Sequence, residues 1–88
     1  MTLHSTFAAL ADPTRHKILM LLKKKDMSAG EIGSHFDITA PSLSHHLGIL
    51  KNADLVKSRR NGQEIIYSLS ISTFEELSDT MINFFKTK

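Results

Sequence analysis

Residues 39–51, Thr-Ala-Pro-Ser-Leu-Ser-His-His-Leu-Gly-Ile-Leu-Lys, constrain the fold of this 88-residue chain more than any other stretch. Leu43, Leu47 and Leu50 recur at i, i+4 and i+7, the period of one helix face. At about 100° per residue, Pro41, Ser44, His45 and Gly48 fall on the opposite side. That side has no acid and no bulky apolar residue before Ile49. A solvated helix face is usually rich in Glu and Lys; a face of Ser, His and Gly lets another molecule approach closely and form hydrogen bonds. The major groove of DNA, about 12 Å wide, admits a helix of this kind.

Helix signals punctuate the flanking sequence. Leu3, Phe7 and Leu10 share a face of a short first helix. Asp12-Pro13 reads as an N-cap followed by an N1 proline, opening a second helix that buries Ile18, Leu19 and Leu22. It runs out in Lys23-Lys24-Lys25, where cations suit the negative end of a helix dipole. Ser28-x-x-Glu31 is a capping box for a third helix carrying Ile32 and Phe36. Asp37-Ile38 makes a tight connection, and Thr39 caps the fourth helix, with Pro41 in its first turn. Two short helices joined by a turn, the second with a bare face, form a helix-turn-helix.

The period then changes to two. Residues 56–60 and 64–69 flank Asn61-Gly62, a dipeptide that tolerates the positive φ of a type I′ hairpin turn. Ile65, Tyr67 and Leu69 alternate toward one face, expected to be the core. Ser72 is the expected cap of a last helix with Phe74, Leu77, Met81, Phe84 and Phe85. The expected fold is therefore mainly α with a small antiparallel hairpin: a winged helix-turn-helix of five helices plus a wing, ordered ααααββα. Residues 1–88 are expected to form a single domain, as their number suggests.

Charge is distributed unevenly. Residues 15–60 hold nine Lys/Arg against four acids, whereas residues 64–88 hold two Lys against four acids. The basic excess coincides with the helix-turn-helix and the hairpin. Arg59, Arg60 and Asn61 stand at the wing tip. Two arginines there can straddle a phosphate backbone or enter a narrow minor groove. The other reading is a charged, solvated edge that protects a hairpin from aggregation. The candidate DNA-contacting residues are Thr39, Ala40, Pro41, Ser42, Ser44 and His45 on the fourth helix, with Lys51, Arg59, Arg60 and Asn61 beside them.

Several features together resemble the ArsR/SmtB winged-helix repressors. They are Asp12-Pro13-Thr14-Arg15, Ser44-His45-His46-Leu47 with Leu50-Lys51, the wing Arg59-Arg60-Asn61-Gly62, and Tyr67-Ser68-Leu69. The resemblance spans roughly residues 5–70. It implies a dimeric bacterial repressor whose fourth helix lies in the major groove, flanked by the wing. Metal-sensing members carry a Cys-x-Cys motif on the third helix, where this chain has Met27-Ser28-Ala29-Gly30-Glu31-Ile32-Gly33. Others use His and Asp on the last helix, and residues 69–88 here contain no His. Within the family the chain looks most like the metal-independent autorepressors of toxin-immunity operons, the SdpR type. That likeness implies autoregulation and an inducing membrane protein rather than an ion.

The remaining chemistry is sparse. The chain has no Cys, which excludes disulfides and thiolate metal sites. His45 and His46 are adjacent and point about 100° apart, so they cannot make an i, i+4 ligand pair. His45 falls on the bare face, and His46 near the Leu43/Leu47 edge as a partly buried structural residue. His4, His16 and His35 show no ligand spacing, so neither a metal nor a cofactor is expected. No Gly-rich phosphate loop or nucleophile elbow is present, and the chain is not expected to be an enzyme or to take a small-molecule substrate. No apolar run is long enough to span a membrane and no signal-peptide pattern opens the chain, which fits a cytoplasmic protein.

The last helix is too apolar for a monomer surface. Phe74, Leu77, Met81, Phe84 and Phe85, together with Leu3, Phe7 and Leu10 of the first helix, are the expected homodimer interface. The alternative is that all of them face inward. The functional expectation is a homodimeric repressor reading an inverted-repeat operator in double-stranded DNA. The alternative is a winged helix that binds a membrane or polymerase partner.

Overall fold

The structure, a computed structural model, describes residues 3–86. Its elements run α1 (Leu3–Ala11), α2 (Pro13–Lys24), β1 (Met27–Ser28), α3 (Ala29–Gly33), α4 (Ala40–Asn52), β2 (Val56–Asn61), β3 (Glu64–Leu69) and α5 (Ile71–Lys86). This is a winged helix-turn-helix with five helices. The strands form one antiparallel sheet in the order β1-β3-β2.

Local chemistry sets most boundaries. Asp12 Oδ2 accepts the Arg15 backbone N–H at 3.1 Å, and Pro13 occupies the first position of α2, where a missing N–H costs nothing. Ser28 and Glu31 close a reciprocal capping box at α3. Thr39 Oγ1 accepts the Ser42 N–H at 3.2 Å to open α4. The far end of α4 closes in a Schellman arrangement. The Leu55 N–H returns to the Leu50 carbonyl and the Asp54 N–H to the Lys51 carbonyl, with Asp54 in the left-handed region at φ 58°.

Four details differ from the sequence expectation. Met27 and Ser28 pair with Tyr67 and Ile66, so the wing hairpin gains a third strand. α3 ends at Gly33, leaving Phe36 in the following turn, where it packs on the core and under the Lys17 ammonium. Asn61 pairs with Glu64, so the hairpin turn is Gly62-Gln63, with only Gly62 at positive φ (66°). That is the φ pattern of a type II′ turn, not the expected type I′. Finally, α5 begins at Ile71: the Thr73 and Phe74 N–H groups bond the Ser70 carbonyl, and Ser70 Oγ meets Thr73 Oγ1. Ser70 is therefore the residue before the helix, and Ser72 lies in its first turn.

Ile18, Ile32, Leu50 and Leu55 are the largest fully buried side chains, joining α2, α3, α4 and the segment entering β2. A Cβ on Gly33 would sit 3.2 Å from Leu43 Cδ2, so glycine there lets α3 lie close against α4. The strand register puts Met27, Ser58 and Tyr67 in one cross-strand row, with Val56 and Leu69 on the same face, and most of this row packs on the core. Ile65 and Arg60 continue that face toward the tip. Ser28, Ile66 and Arg59 share the opposite face.

Candidate nucleic-acid interface

α3, the turn after it and α4 present the helix-turn-helix, and α4 keeps the two-sided character of its sequence. Leu43, Leu47 and Leu50 are buried, whereas Thr39, Ala40, Pro41, Ser44, His45, Gly48 and Lys51 are exposed. Ser42 is half-buried in the capped first turn. A Cβ on Gly48 would meet nothing within 4 Å, so this side of α4 is open. The first-turn N–H groups of α4 add a partial positive charge suited to phosphate.

A shallow cleft runs from Gly30 and Gly33 on α3, past Thr39 and Ser44, to Tyr67 on β3. The Tyr67 face of the wing is thus continuous with the exposed part of α4. Arg60 lies on that face, directly opposite Ile65. Arg59 lies on the other, with its Nη1 3.1 Å from Asp26 Oδ2. The pleat therefore separates the adjacent wing arginines, and only Arg60 extends the face that borders α4. Arg60, Asn61 and Arg59 are all exposed.

His46 occupies the structural position expected of it. Its side chain is 16% exposed, and its Nδ1 lies 3.2 Å from Arg15 Nη1 and 3.8 Å from Asp12 Oδ2. Arg15 also donates from Nε to the Ala9 carbonyl at 2.8 Å and from Nη2 to the Ala8 carbonyl at 3.1 Å. The Arg15 N–H, followed by the Arg15 charge, holds the Asp12 carboxyl below its ordinary value. At α3 the Ser28 N–H, aided by Lys25, does the same for Glu31.

The candidate assembly residues are displayed on α1 and α5. Leu3, Phe7 and Met81 are each about half exposed, Phe84 and Phe85 are 72% and 76% exposed, and no residue of α5 is buried. These five side chains and Thr80 line an apolar cleft between α1 and α5. Phe84 and Phe85 meet edge to face at 5.3 Å. Leu77 is half-buried, and Leu10 and Phe74 pack against the core of their own chain.

Two residues of consequence escaped the sequence reading. Arg15 was visible only as part of the Asp12–Arg15 motif, because its partner His46 is 31 positions away. Asp26, lying 33 positions from Arg59, carried no signal at all. As for metal ligands, no group of three His, Cys, Asp or Glu side chains converges among the described residues. The donor set around Met27–Gly33 contains no thiol.

The fold and the open α4 face define a winged helix-turn-helix regulator of the DNA-binding type. The model of the arsR family of bacterial regulatory proteins matches residues 12–58, and the chain belongs to that family. The family comprises transcriptional regulators, not enzymes. The chain is 49% identical over 82 residues to the transcriptional repressor SdpR of Bacillus subtilis, covering 93% of this chain and 91% of that one. It is 40% identical over 72 residues to the HTH-type transcriptional regulator Rv0081 of Mycobacterium tuberculosis, covering 81% of this chain and 63% of that longer relative. Among solved structures it resembles an ArsR-like transcriptional regulator from Rhodococcus, with TM-score 0.84 and 31% identity over 92% of this chain and 76% of that one.

Proposed function

We propose that this protein is a cytoplasmic transcriptional repressor that binds an inverted-repeat operator as a homodimer and controls its own operon, residues 1–88 acting as one unit. The observation that carries the reading is the exposed, acid-free face of α4, held out by the buried leucines on its other side. Thr39, Ala40, Pro41, Ser42, Ser44 and His45 would meet base edges and the nearest phosphates. Lys51, Arg60 and Asn61 would supply backbone contacts, while Arg59 braces the wing through Asp26.

α5, a 16-residue helix with no buried residue and two exposed phenylalanines, Phe84 and Phe85, supports a dimer. A small domain gains stability by covering such a surface, and pairing through α1 and α5 would set two recognition helices side by side. Half-sites one turn apart, about 34–36 Å, would match such a pair. The 49% identity to the repressor SdpR supports repression here. The same apolar face is where an inducing partner would act, a membrane protein in the resemblance drawn above.

The test is a gel shift on DNA upstream of the protein's own gene. Wild type shifts a discrete fragment, and Ser44→Glu, which sets a carboxylate against phosphates and base acceptors, loses that shift while staying folded. A folded Ser44→Glu variant with full affinity removes this face of α4 from the interface.

A further inference from the structure

Arg15 spends all three guanidinium nitrogens inside the protein and joins three helices by doing so. Nε and Nη2 hold the Ala9 and Ala8 carbonyls in the last turn of α1, where Pro13 leaves Ala9 without an N–H four residues on. Nη1 reaches His46 on α4. The residue itself sits in the first turn of α2, where its backbone N–H bonds the Asp12 cap. A guanidinium only donates, so His46 Nδ1 accepts, and in the neutral ring the proton lies on Nε2.

We propose that Arg15 is a positioning residue for DNA reading: through His46 it fixes the rotation of α4 relative to the end of α1. This rests on the reading of α4 as the recognition helix. Three leucines on one face hold α4 at its depth in the core, but apolar contacts are non-directional and leave small rolls about the helix axis weakly resisted. A planar, rigid fork anchored at two carbonyls is directional, and its third branch grips α4 off that apolar seam. His46 is flanked by His45 on the exposed face, and Ser44 is one further residue away. A roll that releases His46 therefore displaces the side chains offered to the groove. The same tie makes α4 follow α1, the helix that carries Leu3 and Phe7. Arg15 is half-buried and fully engaged, so it acts through His46 and not by touching phosphate.

The experiment uses the full-length protein and measures affinity for the operator fragment and for a scrambled duplex across a salt series. Specific binding by wild type tests the DNA reading itself, separately from what the variants then show. Arg15→Met and His46→Leu are expected to lose about tenfold or more in operator affinity, a loss comparable to one mismatched base pair. Affinity for the scrambled duplex and the salt slope stay unchanged. The double variant falls no further than Arg15→Met alone, because the Arg15–His46 bond is already broken in that variant. His46→Gln, whose side-chain carbonyl can accept from Arg15, returns to near wild-type affinity. If Arg15→Met does not fold, the Leu/Gln comparison at His46 decides, since both variants leave the Arg15–carbonyl bonds in place. Equal losses on both duplexes with a salt slope lower by about one make Arg15 a phosphate contact and overturn the proposal. So does a His46→Gln protein as defective as His46→Leu, or operator binding untouched by any of the substitutions.

Discussion

Arg59 reaches across the central strand of the wing to Asp26, its Nη1 3.1 Å from the Asp26 Oδ2. The sheet order is β1-β3-β2, Asp26 directly precedes β1, and Arg59 pairs with Ile66 on β3. The side chain therefore crosses β3 at Ile66, which is only 9% exposed although it lies on the face away from the core row. The ion pair itself is exposed and contributes little, about 0–1 kcal/mol. Its geometric effect is to lay the aliphatic stem over Ile66 and to point the charge away from the α4 side of the wing.

The two wing arginines should consequently separate in experiment. Arg60→Ala is expected to lower the slope of log affinity against log salt by about one, the loss of one phosphate contact. Arg59→Ala should barely alter that slope but should lower the unfolding midpoint, and Arg59→Met, which keeps the stem over Ile66, should restore much of it. Salt-dependent anisotropy titrations and thermal melts read both effects. A flattened slope in Arg59→Ala alone would reverse the assignment.

Asp54 offers a simple gain in stability. It occupies the left-handed C′ position after α4 with nothing but its backbone in the closing bonds. Glycine adopts that conformation without steric cost, so Asp54→Gly should stabilise the fold by about 0.5–1 kcal/mol. Chemical denaturation should show the midpoint rising at constant m-value.

Acid should destabilise the protein through two caps. Asp12 and Glu31 have folded-state values lowered from 3.8 and 4.5 by the N–H groups they accept. A lowered carboxyl adds stability that is present above its unfolded value and is lost as pH falls through the folded one. Stability should thus decline from about pH 4.5 downward. The paired substitution Asp12→Asn with Glu31→Gln should be less stable at neutrality and less sensitive to pH across that interval. Melting curves from pH 7 to pH 2 check this, and an unchanged acid slope in the variant would remove the caps from the explanation.

Much of the fold was legible because helix ends are local chemistry. Asp12, Ser28 and Thr39 each cap an N–H three residues on, an offset visible in any sequence. What escaped depends on distant partners. β1 is two residues long and exists only because β3 lies beside it, so no alternation could reveal it. Asn61 keeps strand geometry because it pairs with Glu64, which moves the turn one residue onward. Ser70 precedes α5, and not Ser72, because the Ser70 N–H is held by the Leu55 carbonyl far back in the chain. In the candidate interface, the two faces of α4 follow from the helical period alone. The separation of Arg59 from Arg60 required the sheet register and the place of Asp26.

Assembly has its own test. Met81 lines the apolar cleft between α1 and α5 while remaining 40% exposed, so its own fold does not require it. Met81→Asp should leave the circular-dichroism spectrum intact and force a charge into the proposed interface. Leaving such a charge unpaired typically costs about 3–5 kcal/mol when fully buried, so the protein should sediment as a monomer at concentrations where wild type is dimeric. A stable Met81→Asp dimer would move the interface elsewhere.

The central claim is that two copies of α4 read two half-sites together. It is tested most directly by titrating the protein against its operator and against the same duplex with one half-site scrambled, with stoichiometry read by sedimentation. Two chains should bind the intact repeat, and affinity should fall about 100-fold or more on the scrambled one, because the linked second contact disappears. Equal affinity for both duplexes, or one chain on the intact repeat, would contradict it.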